Sequence, residues 1–281
     1  MGLTGPTSSP WQRHAEKWRD CHLCDLCSQR DRIVLAKGDV PCDLLIIGEA
    51  PGESENVTGL PFTGPAGHLL GKIVASATDG IFIQDAREAT VVHKDRAPYD
   101  VYVGRPSKWG NPFVVGMDGT RAEVIEKYER WFDSSGLDVS ELSGKVLGCH
   151  CKPLPCHGDY LAALANATGG ALRPIRVAWT NLVACFPLHA KREGSNEPSK
   201  RQILACQPRL AEFIELCRPR VIVRAGKLAE DWVSYPEGTC DKCVDVVHPA
   251  HILRMPVVQQ DMATRRCVVQ IANAIEEVFA K

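Results

Sequence analysis

The segment Cys42-Asp43-Leu44-Leu45-Ile46-Ile47 runs directly into Gly48-Glu49-Ala50-Pro51-Gly52, and this junction constrains the fold more than any other stretch of the chain. An apolar run without polar alternation reads as a strand buried on both faces, and such a strand needs cover on both sides. Three later runs read as strands in the same way: Val177-Ala178-Trp179, Arg220-Val221-Ile222-Val223 and Val244-Asp245-Val246-Val247. Helical patterns separate them. Residues 64–76 form one; residues 198–217 form another, with Ile203, Leu204, Leu210, Phe213, Ile214 and Leu216 on one broad face; residues 261–280 form the last. Strands alternating with helices predict a doubly wound parallel α/β sheet. Such sheets carry their sites in the turns beyond the carboxyl ends of the strands.

The alternation breaks between residues 81 and 172, which have their own elements. Val101-Tyr102-Val103 and Lys145-Val146-Leu147 read as strands, and residues 121–132 and 159–167 as helices. This predicts a small α+β domain inserted at a surface loop of a discontinuous host, residues 1–80 and 173–281. Residues 1–20 read as a polar arm with a short helix. With 281 residues, 44% hydrophobic and 24% charged, the chain can build an ordinary core. The net charge of −1 gives no global attraction to nucleic acid, so any such contact rests on a local patch. No stretch is apolar enough to span a bilayer, and the N-terminus lacks the pattern of a signal peptide, so cytoplasmic residence is expected. A chain read as cytosolic makes disulfides improbable, and thirteen cysteines then point to metal or cluster binding.

Four strand-end segments carry chemistry: Gly48-Glu49-Ala50-Pro51-Gly52, Leu60-Pro61-Phe62, Thr180-Asn181 and His248-Pro249. In this order, and with Glu53-Ser54-Glu55-Asn56, Gly59 to Gly67 and His248-Pro249-Ala250-His251-Ile252-Leu253-Arg254, the chain resembles the uracil-DNA glycosylase superfamily, specifically its iron–sulfur group, family 4. The resemblance covers most of residues 20–80 and 175–280. Asn56 departs from it, standing where an acidic residue is usual. The resemblance implies a three-layer doubly wound fold and hydrolysis of the N-glycosidic bond of uracil, or a related modified pyrimidine, in single- or double-stranded DNA. It also implies a role in base excision repair by a monomer that flips the base out of the stack.

The resemblance implies a role for each residue. Glu49 positions water and stabilises the sugar cation, and Phe62 stacks on the base. Asn181 recognises the base edge, and His248 stabilises the leaving group. Gly48 belongs to the base pocket, Gly64 and Pro65 to the DNA contact, and Ile252, Leu253 and Arg254 to the wedge that fills the vacated stack. Cys21, Cys24, Cys185 and Cys206 match the ligands of a structural 4Fe-4S cluster. The loop over residues 188–199 contains His189, Lys191 and Arg192 but lacks the histidine run of the branch that bonds covalently to the abasic sugar, which argues against cross-linking. Lys191-Arg192 and Lys200-Arg201 are candidate phosphate contacts.

Alternatives remain open at this level. Cys240-x-x-Cys243 can join Cys21-x-x-Cys24 in a four-thiolate zinc site. In the insert, Tyr102 to Phe113 and Gly148 to Asp159 resemble an uncharacterised domain of phage and bacterial proteins, which makes a phage origin plausible. Cys149, Cys151, Cys156 and His157 are of zinc-binding type. They can equally line a nucleotide or modified-base pocket, with Arg105 and Lys108 taking an anion, or simply pack. The whole chain can accordingly be a non-catalytic binder of nucleic acid or modified bases, or a two-site nucleotide- or DNA-modifying enzyme with chemistry in the insert.

Overall fold

The structure, a computed structural model, describes residues 9–83, 88–167, 173–187 and 197–279. Two compact units are present: one holds Phe82–Arg173, and the other joins Trp11–Ile81 to Pro174–Lys281. In chain order, helix α1 (Pro10–Trp18) precedes β1 (Ala36–Gly38), β2 (Leu44–Gly48), α2 (Glu53–Thr58) and α3 (Pro65–Thr78). The insert contributes β3 (Phe82–Ile83), β4 (Thr90–His93), β5 (Val101–Tyr102), α4 (Arg121–Asp133), β6 (Val146–Cys149), α5 (His157–Ala167) and β7 (Arg173–Pro174). The chain then resumes with β8 (Val177–Asn181), α6 (Lys200–Cys217), β9 (Val221–Ala225), α7 (Lys227–Trp232), β10 (Lys242–Val246), α8 (Pro249–Arg254) and α9 (Val257–Phe279).

The larger unit is mixed α/β. Its sheet has the order β1-β8-β2-β9-β10. All neighbours are parallel except β1, which pairs antiparallel with β8 at the edge. Every residue of β2 is buried, as its unbroken apolar run predicts. Leu45, Ile47, Ala178 and Ile222 form one core cluster with Ile203, Leu210, Phe213 and Ile214 of α6. Leu204, assigned from its period to that buried face, is instead 52% exposed, because the face is narrower than the run of apolar residues suggests. Helix α9 contacts β9, β10 and α3. It starts at Val257 rather than near residue 261, and it opens with exposed Val257 and Val258. The chain passes from β2 to β8 on one side and later to β9 on the other. The crevice between β2 and β9 is therefore the reversal point where open α/β sheets bind ligands.

The insert has a three-stranded parallel sheet, β4-β6-β5. Val103, Trp109, Tyr128, Phe132, Leu147 and Leu161 form its core. The turn-rich segment after β5 is held on α4: the Tyr128 hydroxyl donates to the Trp109 carbonyl at 2.8 Å, and Asn111 Nδ2 donates to the Val124 carbonyl at 3.0 Å. Among the described residues, no helix is long and apolar enough to cross a membrane.

Candidate active site

The register of the large sheet places Gly48 opposite Asn181 at the carboxyl ends of β2 and β8. A Cβ built on Gly48 would lie 2.5 Å from Asn181 Oδ1 and 2.9 Å from Phe62 Cζ, so only glycine lets these two side chains close over the strand end. Phe62 has φ +57, a left-handed conformation that is uncommon for a bulky residue. Its backbone is tight against Gly67, where a Cβ would meet Phe62 Cα at 2.4 Å, and its ring centroid lies 5.3 Å from that of Trp179. Gly64 and Pro65 open α3 beside it.

Glu49 and His248 meet on the other side of the crevice. A Cβ on Gly226, where φ is +105, would lie 2.2 Å from Glu49 Oε1 and 2.9 Å from His248 Cδ2. Glu49 Oε1 accepts the Leu228 N–H at 3.1 Å, and Glu49 Oε2 is 3.8 Å from His248 Nε2. Burial raises the Glu49 carboxyl above its ordinary value, with the Leu228 hydrogen bond opposing and Glu197 adding to the rise. His248 caps α8: its Nδ1 accepts the Ala250 N–H at 3.2 Å. Its single proton in the neutral form is therefore on Nε2, the atom that faces Glu49. Burial, then Arg254 and His251, lower the His248 pKa to about 4, so the ring is neutral at physiological pH. Glu49, Phe62, Asn181 and His248 all line one cleft of ≈ 990 Å³, together with Arg254 and Arg266.

Two residues that the sequence did not single out build this arrangement. Glu55 is buried, and its carboxylate accepts the N–H groups of Thr63, Gly64 and Gly52 at 2.9, 2.9 and 3.0 Å, which fixes the loop carrying Phe62. Arg209 is 1% exposed and donates to Thr180 Oγ1 and to the carbonyls of Asn181 and Leu182. The only signals were Glu55 three residues after a glycine N-cap and an arginine on the apolar side of a helix. Asn56 also has a physical reason: it exchanges two hydrogen bonds with Asp31, at 2.7 and 3.0 Å, where a second carboxylate would be repelled.

On α8, Ile252 is 0% exposed and packs inside, whereas His251, Leu253, 41% exposed, and Arg254 face outward. Lys200 lies over the Trp232 ring at 5.5 Å. His189, Lys191 and Arg192 lie outside the described residues.

The first cysteine set interacts electrostatically. Cys24 lies in electrostatic range of Cys206 and Cys21, and Cys185 in range of Cys206 and Cys24. Burial pushes the Cys185 thiol up to about 11, opposed by Arg30, whose Nη1 donates to its sulfur at 3.2 Å. Burial lowers the Arg209 pKa, opposed by Cys206, Cys185 and Cys21, and its buried Nε has no oxygen or nitrogen partner. Four thiols beside two buried or half-buried cations fit an anionic thiolate-bound cluster. Cys240 and Cys243 are grouped around Tyr235, and among the described residues they do not form a close ligand group with Cys21 and Cys24.

In the insert, Cys149, Cys151 and Cys156 have sulfur atoms within 4.8 Å of one another; His157 is outside this group. His157 Nε2 is engaged with the Val103 carbonyl at 2.8 Å, and its Nδ1 lies 3.8 Å from Cys156 Sγ. Arg105 is exposed nearby, whereas Lys108 pairs with Glu141 at 2.6 Å and lies over the Trp109 ring.

Residues 87–167 match the family model of a domain of unknown function, DUF4326. The uncharacterized 12.4 kDa protein of the nrdA-td intergenic region of Enterobacteria phage T4 is 38% identical over 88 residues, which are 28% of this chain and 80% of the phage protein. The chain belongs to the family of this phage protein. It is also similar to proteins named type-4 uracil-DNA glycosylase. That of Archaeoglobus fulgidus is 29% identical over 140 residues, 45% of this chain and 67% of the relative. That of Thermotoga maritima is 36% identical over 84 residues, 30% of this chain and 42% of the relative.

Proposed function

We propose that the larger unit is a DNA glycosylase that hydrolyses the N-glycosidic bond of uracil, or of a related modified pyrimidine, within a three-layer uracil-DNA glycosylase-like fold. The observation that carries this reading is the convergence of Glu49, Phe62, Asn181 and His248 on one cleft at the reversal point of the sheet. The similarity to type-4 uracil-DNA glycosylases supports it.

The geometry supports the following chemistry. A nucleotide flipped into the cleft stacks its base on Phe62, and the Asn181 amide donates and accepts at the pyrimidine edge. As the C1′–N1 bond lengthens, negative charge grows on uracil O2. The neutral His248 ring offers its Nε2–H there, and a fixed donor aimed at developing charge lowers the barrier without reorganisation. Glu49 as carboxylate faces the sugar cation and orients the water that adds to C1′. The water proton ends on the departing base. Leu253 and Arg254 occupy the vacated stack and meet the backbone.

Cys21, Cys24, Cys185 and Cys206 would hold the 4Fe-4S cluster. When bound it supplies a structural cross-link, tying the arm after α1 to the segment after Asn181 and to α6. Arg209 touches both this region and the Asn181 backbone, so it positions the base-recognition residue.

The test is base release from a uracil-containing single-stranded oligonucleotide by anaerobically purified protein, with Glu49→Ala and His248→Ala alongside. Release by the parent that drops sharply in both variants supports the reading. No release by a parent carrying the cluster spectrum overturns it for uracil.

A further inference from the structure

The insert contains a second thiol group that the glycosylase reading leaves unused. Cys149 ends β6, Cys151 sits in the turn behind it, and Cys156 immediately precedes α5. Three backbone positions thus bring three sulfurs within 4.8 Å of one another at the carboxyl end of the central strand of a parallel sheet. Tetrahedral zinc–thiolate bonds of about 2.3 Å imply sulfur pairs roughly 3.8 Å apart, so this grouping has the compactness of a single-ion site. A cubane cluster would spread its ligands wider.

Two contacts can stabilise thiolates at this group. The Gly158 N–H, in the first turn of the 11-residue helix α5, donates to Cys156 Sγ at 3.3 Å. A helix N-terminus and an N–H donor both stabilise a thiolate. The Arg121 side chain hydrogen-bonds to Cys151 and also donates to the Pro155 carbonyl at 3.3 Å, which locks the cation against the group. Three thiolates around a divalent ion leave one negative charge, and Arg121 offsets it. With its Nε2–H given to the Val103 carbonyl, His157 keeps an unprotonated Nδ1 3.8 Å from Cys156 Sγ, which adds a nitrogen lone pair, not a hydrogen-bond donor, beside the sulfurs.

We propose that Cys149, Cys151 and Cys156 bind a zinc ion as three thiolates, with the fourth position left to water or another small exogenous ligand. This is independent of whether the larger unit excises bases.

The test uses the full chain, loaded with zinc sulfate, passed over a chelating resin and assayed for zinc and iron separately. The expected result is about one zinc per chain in the parent, and a loss of at least tenfold in Cys149→Ser, Cys151→Ser and Cys156→Ser with iron content unchanged. A Cys240→Ser/Cys243→Ser variant keeps its zinc. Should the single variants fail to fold, the parent still decides. Loaded with cobalt(II), it must show the intense thiolate-to-metal absorption and tetrahedral ligand-field bands of a sulfur-rich site. A parent that retains no zinc and shows no such bands, a disulfide between two of the three cysteines in the freshly purified protein, or zinc that persists in the serine variants overturns the proposal.

Discussion

His248 Nε2 lies 3.8 Å from Glu49 Oε2, with Gly226 pressed against both side chains. The two groups shift in opposite senses for one reason. Burial disfavours charge on each, raising the carboxyl and lowering the imidazole. Neutral His248 is present above about pH 4, whereas the Glu49 carboxylate appears only above its raised pKa. Activity should therefore fall with acid through the Glu49 titration, above the ordinary carboxylate value of 4.5, while His248 is still neutral. A pH profile of kcat/KM checks this, and Glu49→Gln should remove that limb. His248→Gln should lower kcat about 100- to 1,000-fold, the usual effect of losing one donor to a developing anion.

Gly48→Ala places a methyl group 2.5 Å from Asn181 Oδ1 and 2.9 Å from Phe62 Cζ. We expect a stability loss of about 1–3 kcal/mol from overpacking. Displacement of Asn181 and Phe62, the proposed base contacts, should lower kcat/KM for uracil release by roughly 100-fold. Urea unfolding and single-turnover release measure the two effects separately.

Arg209→Met should destabilise by at least about 2 kcal/mol, because the carbonyls of Asn181 and Leu182 and the Thr180 hydroxyl lose a buried charged donor. Iron content should fall in the same variant, while Arg218→Met, at the C-cap of α6, should leave iron unchanged. Unchanged iron and an unchanged urea midpoint in Arg209→Met would contradict the bridging role.

Asn56→Asp should cost about 1 kcal/mol, since it sets a carboxylate against Asp31. Asp31→Asn in the Asn56→Asp background should restore most of that loss. A double-mutant cycle in urea reads the coupling directly.

The outward and inward residues of α8 should separate cleanly. Leu253→Ala should weaken binding to a uracil-containing duplex with little change in the melting midpoint. Ile252→Ala, at a position 0% exposed, should cost about 2–5 kcal/mol through a core cavity. Fluorescence anisotropy and thermal unfolding are the two measurements.

Much of this was legible along the chain because it is local. The apolar runs at Leu44 to Ile47 and Val221 to Val223 mark strands buried on both faces, and both are strands here. The glycine-rich turn after Ile47 marks a strand end where backbone must pass close to other groups. The insert shows as a break in the strand–helix rhythm, and Cys149, Cys151 and Cys156 fall within eight residues of one another. The short range of these signals made their types readable, though helix ends such as the start of α9 moved by several residues.

Other features depend on groups that meet from distant parts of the chain. Ile252 and Leu253 are adjacent apolar residues, and only the packing of α8 decides that one is core and the other surface. Arg209 reads as a solvated charge on a helix until the fold wraps β8 and the cysteine loops around it. Cys240-x-x-Cys243 and Cys21-x-x-Cys24 have the same spacing, and only the fold shows that the first pair contacts Tyr235 while Cys24 interacts with Cys206 and Cys21. Residue type and local period specify which backbone forms and which chemistry is on offer. Side-chain partners separated by a hundred residues or more are set by three-dimensional closure, because burial and electrostatics act through distance in space and not along the sequence.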